Sequence, residues 1–226
     1  MDAVDVWAAD VDSGRFDGSV CNAAEHARAA SFGDRRAGIR WLAARHFLRV
    51  VLSRRLEVPP AALVFELGHH GKPSTPSTSG GSGTSGTPGA SGTSGASGTS
   101  GASGTSGTSG TEFNLAHSGG IAVVALATRP VGVDVEVHRT VARPEGVARR
   151  LGVAWPVTDE QLLRAWCRTE ALVKATGDGA TRGLARVEER LGREGWRVAD
   201  LVMGDGLHSA VAAHGDDWVV VGPIWA

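Results

Sequence analysis

Apolar residues alternate with polar ones, or run together, in several short stretches of the chain, and this pattern predicts β-strands. Residues 4–7 alternate, residues 63–67 read as a second strand, and residues 121–126 are apolar throughout, as in a buried strand. Residues 131–137 carry valine at every other position. The remaining strands are expected in the last part of the chain, near residues 186–189, 211–213 and 219–221.

Apolar residues spaced three and four positions apart predict two longer helices. The first begins after Asp34, a good N-cap residue, and runs to about residue 56, before two consecutive prolines. The second begins at Thr158, which forms a capping-box pattern with Gln161, and ends at Gly177. Residues 144–151 are expected to form a short helix.

A low-complexity segment interrupts this order. Residues 74–111 contain only Ser, Thr, Gly, Ala and Pro, so they have little to bury and are predicted to form a flexible, disordered tether. Strands and helices alternate in two similar batches on either side of about residue 128. The sequence therefore predicts an α+β fold of two similar halves, residues 1–128, with the insertion at 74–111, and residues 129–226.

Composition narrows the class of protein. The 226 residues carry a net charge of −1, which argues against a general nucleic-acid binder. The chain contains no run of about 18 apolar residues, so we expect no membrane-spanning helix. The acidic start does not resemble a secretory signal. Two cysteines are too few for a disulfide scaffold. These features lead us to expect a cytoplasmic protein. Among 23 basic residues, only Lys72 and Lys174 are lysine.

Four residues form a candidate centre for metal and phosphate chemistry. Asp134 and Glu136 leave the same face of a predicted strand, and Glu170 and Lys174 share a face of a predicted helix. Three carboxylates and a lysine suit Mg²⁺ with a phosphate ligand. Each pair also has a plain alternative, as a solvated strand face or a surface helix pair. The valines of residues 131–137 point one way, so the acidic face is expected to meet water or a metal.

A second candidate is the segment His117-Ser118-Gly119-Gly120. As a loop before an apolar strand, it would let backbone N–H groups and the hydroxyl approach a phosphate. A Ser–His hydrolase is the rival interpretation. It is disfavoured because adjacent residues rarely place a nucleophile and its base in line, and because the chain lacks Gly-x-Ser-x-Gly.

Four motifs in order give the chain a resemblance to a known family. They are Gly-Lys-Pro at 71–73, Phe-Asn-Leu-Ala-His-Ser-Gly-Gly at 113–120, Gly-Val-Asp-Val-Glu at 132–136 and Trp-Cys-Arg-Thr-Glu-Ala-Leu-Val-Lys-Ala-Thr-Gly at 166–177. In these motifs the chain resembles the 4′-phosphopantetheinyl transferases, in particular the monomeric, double-domain Sfp type. The resemblance implies two α+β halves related by a pseudo-two-fold axis, with coenzyme A and Mg²⁺, or alternatively Mn²⁺, in the cleft between them.

The resemblance also implies a reaction. The 4′-phosphopantetheine arm of coenzyme A would pass to a serine of an acyl or peptidyl carrier protein, with release of 3′,5′-ADP. Asp134, Glu136 and Glu170 match the family's metal-binding acids. Lys174 matches a lysine near the pyrophosphate, and Glu170, or a metal-bound water oriented by it, would take the serine proton.

Further residues match the family's coenzyme-binding groups. Lys72 and His117, with Ser118 beside them, match groups that hold the phosphates of coenzyme A. Lys174 matches a group at the pyrophosphate of the same coenzyme. Arg40 and Arg28 align with the basic residues around the 3′-phosphate. The arginines of the first long helix are by default a solvated face. Carrier proteins tend to be acidic, so part of this face would steer them by long-range attraction.

Two departures from the family pattern leave alternatives open. Thr169 replaces the lysine that usually precedes the helix glutamate, and the stretch between Glu136 and Trp166 is short where part of a carrier-docking surface is expected. The alternatives are a Mg²⁺-dependent phosphohydrolase of nucleotides or coenzyme A, and a homologue that binds carriers without modifying them.

Overall fold

The computed structural model describes residues 2–67, 73–74, 102–104, 110–177 and 195–226. The helices are α1 (Ala23–Ala30), α2 (Arg35–Leu56), α3 (Pro144–Leu151) and α4 (Asp159–Thr176), with a 3-10 turn at Pro60–Ala62. The strands are β1 (Asp2–Asp10), β2 (Glu66–Leu67), β3 (Pro73–Ser74), β4 (Ala102–Gly104), β5 (Glu112–Ser118), β6 (Ile121–Ala127), β7 (Val131–Val137), β8 (Trp196–Asp200), β9 (Leu207–His214) and β10 (Trp218–Trp225).

Two larger sheets form the centre of the fold. The first has the strand order β10-β1-β6-β5-β4, and the second has the order β7-β9-β8. Strand β10 runs parallel to β1, whereas β6 and β5 are antiparallel neighbours. The first sheet therefore takes strands from both sides of residue 128. The mixed α+β class is confirmed, while the division into two similar halves stays a prediction.

The elements stack in four layers. Helix α2 covers one face of the first sheet through Phe47 and Leu48, which pack with Phe113 of β5. The other face of that sheet packs against the valines of β7 and β9. Helix α4 covers the outer face of the second sheet, where Ala171 packs with Ala212. Strand β7 lies inside this stack and is buried on both faces.

A buried carboxylate joins α1 to α2. Asn22 caps α1 in a capping box with Glu25. The Glu25 carboxylate also accepts hydrogen bonds from Nε of Arg45 and Nε of Arg49, each at 2.9 Å. Arg49 donates in turn to the carbonyl oxygens of Pro60 and Leu63. One buried glutamate thus fixes α1, α2 and the chain that follows α2.

Most of the predicted elements are confirmed. The helices α2 and α4 begin at the predicted caps Asp34 and Thr158, and α4 ends at Gly177 in a left-handed conformation. Helix α3 spans the predicted residues 144–151. The strand predicted at 63–67 is shorter, with only Glu66–Leu67 in a ladder. Helix α1 and strand β8 were not predicted. The strand predicted near 186–189 lies outside the described residues.

The low-complexity segment contains one described strand. Ala102–Gly104 pairs antiparallel with β5, although the composition of residues 74–111 predicts no regular structure. The edge of β5 offers backbone N–H and C=O groups, which an extended chain can pair with whatever its side chains. The prediction of a flexible tether otherwise falls mainly on residues outside the described ranges. No helix among the described residues is long and apolar enough to cross a membrane.

The buried Glu25 provides a stability test. Glu25→Ala leaves Arg45 and Arg49 buried without their carboxylate, so the free energy of unfolding should fall by about 3–5 kcal/mol. Glu145→Ala is the matched control, because Glu145 pairs with Arg149 on an exposed surface and should change it by less than about 1 kcal/mol. Chemical denaturation measures both. Equal losses in the two variants would contradict this role for Glu25.

Candidate active site

The site forms where α4 approaches β7 unusually closely. A Cβ atom at Gly132 would lie 2.1 Å from the carbonyl oxygen of Ala171 and 2.4 Å from the backbone nitrogen of Ala175. Only glycine fits at such distances, because real Cβ atoms do not come so near to backbone. The missing side chain therefore lets α4 lie directly on the strand, where its side chains reach the acids of β7.

At this contact Lys174 of α4 meets Asp134 of β7. Lys174 Nζ donates to Asp134 Oδ1 at 2.6 Å and to the carbonyl oxygen of Val133 at 3.3 Å. Asp134 is completely buried, and burial raises its pKa to about 6 against the opposing effect of Lys174. Its second oxygen, Oδ2, has no hydrogen-bond partner within the described residues. The nearby Cys167 thiol donates to the carbonyl oxygen of His208 instead.

This burial corrects one prediction about β7. The acidic face was expected to meet water or a metal. It packs against α4, with Asp134 and Glu136 both buried, so it does not face open water, while the metal stays a prediction. The alternating valines show only that one face is buried. A strand in a middle layer is buried on the other face too, and Gly132 is the residue that signals the helix lying there.

Glu136 lies near the edge of this contact and is held by two donors. Its Oε2 accepts hydrogen bonds from Ser118 Oγ at 2.7 Å and from Arg139 at 2.6 Å. The Ser118 hydroxyl also accepts from the backbone N–H of Val137. Asn114, four residues earlier on β5, accepts from the backbone N–H of Val133 in the same way. Side chains of β5 thus satisfy the open edge of β7 and link the two sheets.

This arrangement changes the interpretation of the His117–Ser118 segment. Both residues lie in strand β5 rather than in a loop, and only Gly119 and Gly120 form the turn to β6. Ser118 uses its hydroxyl on Glu136 and β7. His117 points from the opposite face of β5, because successive side chains of a strand alternate.

His117 is half-buried and kept neutral. Burial lowers its pKa to about 4, and the positive charges of Lys174 and Arg40 act in the same direction. Its Nε2 has no hydrogen-bond partner within the described part of the chain. An incoming anion with an acidic proton, or a neutral donor, would find an open acceptor there.

Glu170 completes the acidic cluster from α4. It is buried, and burial raises the pKa of its carboxyl while Lys174 opposes the rise. Thr169, the departure from the family motif, is buried beside it on the helix. Asp134, Glu136 and Glu170 therefore share Lys174 as a buried neighbouring cation, with Arg139 at the rim.

A cavity of about 880 Å³ opens beside this cluster. Its lining includes the polar groups Arg28, Arg40, His117, Ser118 and Glu136, all of them predicted site residues, together with Asp34 and Arg139. It also includes apolar side chains, among them Val141, Val147, Leu162, Leu163 and Trp166. The cavity thus offers both charged and apolar groups, which suits a ligand that combines phosphates with a neutral arm.

The two predicted arginines have different surroundings. Arg40 pairs with Asp12, which Arg36 also contacts, and the hydrogen bond from Arg40 lowers the pKa of Asp12 to about 2. Arg28 is exposed at the end of α1 and lies over the ring of Phe32 at 5.1 Å. Arg28 is therefore more accessible to a ligand than Arg40. Lys72, the remaining predicted coenzyme residue, lies outside the described residues.

The carboxylates of the described residues are the kind of ligand that a hard divalent cation prefers, but they are not arranged around a common point. Within the described ranges, no group of three or more acidic, histidine or cysteine side chains is arranged to hold a metal ion. Asp134 nevertheless has an unsatisfied buried oxygen, and the carboxyl pKa values of Asp134 and Glu170 are raised by burial. A cation with oxygen ligands would relieve both conditions.

Sequence reasoning did not identify Arg139 or the structural part played by Asn114. Arg139 stands three residues after Glu136 and directly on the cavity, so its spacing was the available signal. Asn114 was placed in a motif, but only the structure shows that it joins β5 to β7. Trp166 belongs to the motif at residues 166–177. It lines the cavity, and its Nε1 is buried with no partner in the described residues.

The depressed pKa of His117 predicts a pH dependence of folding. The unfolded imidazole, with a pKa of 6.5, takes up a proton before the folded one, whose pKa is about 4. The contribution of His117 to stability is therefore fully present above pH 6.5 and is lost as the pH falls towards 4. An NMR titration should find His117 neutral at pH 6, and His117→Gln should weaken the pH dependence of unfolding in this window. A His117 that titrates near 6.5 would contradict the described burial.

Comparison with known proteins gives two relatives. The 4′-phosphopantetheinyl transferase HetI of Nostoc sp. is 32% identical over 126 residues, which are 47% of this chain and 53% of the relative. A Synechocystis sp. protein, provisionally named a 4′-phosphopantetheinyl transferase, is 26% identical over 159 residues, which are 66% of this chain and 53% of the relative. No protein-family model matches the chain. The chain spans about half the length of these relatives. Within that span, the predicted resemblance to the 4′-phosphopantetheinyl transferase superfamily is confirmed by these two relatives, while the Sfp type stays a prediction.

Proposed function

We propose that the protein transfers the 4′-phosphopantetheine arm of coenzyme A to a serine hydroxyl of an acyl or peptidyl carrier protein. The observation that carries the proposal is the buried cluster of Asp134, Glu136, Glu170 and Lys174 beside the cavity, which offers both charged and apolar groups. The sequence similarity to two proteins named as such transferases supports it. The Sfp type, the pseudo-two-fold axis and a monomeric state belong to the same proposal.

The chain's own residues supply most of the chemistry. Arg28, Arg40 and His117 would bind the phosphates in the cavity, and Lys72 would contribute from the preceding motif. The apolar side chains of the cavity would hold the pantetheine arm and exclude water from it. In the reaction, the serine oxygen would bond to the phosphorus that carries the arm, and the bond from that phosphorus to the oxygen of the leaving 3′,5′-ADP would break.

The serine proton requires a base, and Glu170 is the candidate. Burial raises the pKa of its carboxyl towards the working pH, which is the condition for efficient proton transfer. Lys174 would hold positive charge next to the reacting phosphate while it stays paired with Asp134. Mg²⁺, or Mn²⁺, held by Asp134, Glu136 and Glu170, would supply charge neutralisation at the pyrophosphate.

Acidic carrier proteins would be the natural partners in this proposal. Arg36, near the start of α2, shares Asp12 with Arg40, which lines the cavity. A basic rim of this kind accelerates the approach of an acidic partner by long-range attraction. Residues 74–111 would serve as an inert tether in the same proposal.

Mass spectrometry tests the proposed transfer directly. An apo carrier incubated with the protein, coenzyme A and Mg²⁺ should gain the mass of phosphopantetheine. Asp134→Asn should lower the transfer rate at least about 100-fold. Mutation of residues that only hydrogen-bond to a metal ligand already costs up to about 100-fold in metal affinity or activity, and loss of a ligand should cost no less. Asp217→Asn is the matched control, because Asp217 pairs with Arg129 on the surface and should keep the wild-type rate.

The outcomes of this assay separate the alternatives. Hydrolysis of coenzyme A without any carrier would instead indicate the phosphohydrolase. Carrier binding without a mass gain, across several carriers, would indicate a homologue that binds and does not modify. A folded Asp134→Asn protein with wild-type transfer would refute the assignment of the acids.

Arg139 offers a second test, at the metal rather than at the carrier. Its guanidinium forms an ion pair with Glu136 Oε2, so it would compete with a metal cation for that oxygen. Arg139→Ala should therefore lower the Mg²⁺ concentration at half saturation several-fold, as measured by calorimetry in the presence of 3′,5′-ADP. Arg149→Ala, on the exposed face of α3, should leave it unchanged. Weaker Mg²⁺ binding in Arg139→Ala would show that Arg139 supports the site instead.

A further inference from the structure

Two histidines outside the proposed catalytic cluster meet at the ends of neighbouring strands. His138 directly follows β7, and its backbone N–H donates to the carbonyl oxygen of Gly206 at 2.7 Å. His208 lies in β9 opposite Glu136. Because side chains two positions apart share a face of a strand, Glu136, His138 and His208 emerge from the same face of the β7–β9 ladder. Both imidazoles are thus positioned by backbone pairing.

The ring nitrogens are separated by a distance that fits chelation. His138 Nδ1 and His208 Nε2 are 3.1 Å apart, and the ring centroids are 5.4 Å apart. Imidazole nitrogens bind zinc at about 2.0–2.1 Å. Two such nitrogens are then about 3.3 Å apart around a tetrahedral ion and about 2.9 Å apart around an octahedral one. The observed separation, at which one ring can also donate a hydrogen bond to the other, lies between these values and is compatible with both nitrogens binding one ion.

We propose that His138 and His208 form a binding site for a transition-metal ion of the Zn²⁺ or Ni²⁺ kind. Imidazole ligands suit these ions, whereas Mg²⁺ prefers oxygen. His138 is exposed and His208 is half-buried, so water can reach the ion and fill its remaining positions. The site therefore differs in ligand chemistry from the carboxylate cluster proposed for Mg²⁺.

The charges around the pair favour a cation. Glu136 and Glu160 both act on His208 with negative charge. The positive charge of Arg139 lies on the same side, but its guanidinium is paired with Glu136. The surroundings therefore do not oppose a divalent ion.

A bound ion would link β7 to β9, the two strands next to the proposed active site. His138 ends the strand that carries Asp134 and Glu136, and the carbonyl oxygen of His208 accepts a hydrogen bond from Cys167 of α4. An ion that binds only the folded chain raises its stability in proportion to the logarithm of the ion concentration. Zn²⁺ should therefore raise the unfolding temperature as well as bind.

Calorimetric titration of the untagged full chain with Zn²⁺, and separately with Ni²⁺, tests this site. His69 and His70 are replaced by alanine in every protein, so that this adjacent pair adds no second site. One ion should bind per chain, and His138→Ala and His208→Ala should each weaken binding at least tenfold. They should also abolish the rise in unfolding temperature. His214→Ala is the matched control, since His214 lies at the far end of β9 and should keep both effects.

Several results would overturn the proposal. These are no Zn²⁺ or Ni²⁺ binding by the parent protein, undiminished binding in folded His138→Ala or His208→Ala, and an equal loss in His214→Ala. Loss of Zn²⁺ binding in Asp134→Asn, with both histidines present, would assign the ion to the carboxylate cluster. Neither the expected nor the contrary result depends on whether the protein transfers phosphopantetheine.

Discussion

The contact between Asp134 and Lys174 is the interaction on which the rest of the site depends. It exists because Gly132 lets α4 lie against β7 without an intervening side chain. The contact buries one lysine among three carboxylates, those of Asp134, Glu136 and Glu170. Buried charges are costly unless they are paired. Arg139 pairs with Glu136 at the rim, and one lysine does not balance the two remaining acids. Protonation, as the raised pKa values of Asp134 and Glu170 indicate, or a bound cation can make up the difference.

Strand β5 joins this cluster to the rest of the molecule. One face of the strand offers Asn114 and Ser118 to the open edge of β7, and Ser118 also fixes Glu136. The other face directs His117 to the side covered by α2, where Arg40 acts on it. A single motif therefore serves both architecture and chemistry. Replacement of Ser118 would disturb the position of an acid as well as any contact with a ligand.

The periodic patterns of the sequence predicted most of the elements. Asp34, Thr158 and Gly177 marked helix ends, and the alternating valines marked β7, because each of these signals is local. Helix α1 was missed because its eight residues carry no apolar stripe and it is held by the buried Glu25. The surroundings of Asp134 were also mispredicted. Alternation along one strand does not show which helix will lie on its second face.

Candidate chemistry was predictable to a similar extent. The four motifs included the acids, Lys174 and His117. In the structure His117 and Glu136 line the cavity, whereas Asp134, Glu170 and Lys174 are buried and are not part of its lining. Arg139 was missed, since an arginine three residues from an acid is common on surfaces and only its position on the cavity distinguishes it. The relatives share about half of their length with this chain, so the transfer reaction is a proposal for this protein.

A divalent-cation site formed by the buried acids is the proposal on which the function of this protein depends. Mn²⁺ also accepts oxygen ligands, so a titration that follows free Mn²⁺ by electron paramagnetic resonance, with coenzyme A present, tests this site. We expect one bound Mn²⁺ per chain and at least tenfold weaker binding in folded Asp134→Asn. Equal Mn²⁺ affinity in the wild type and in Asp134→Asn would contradict it.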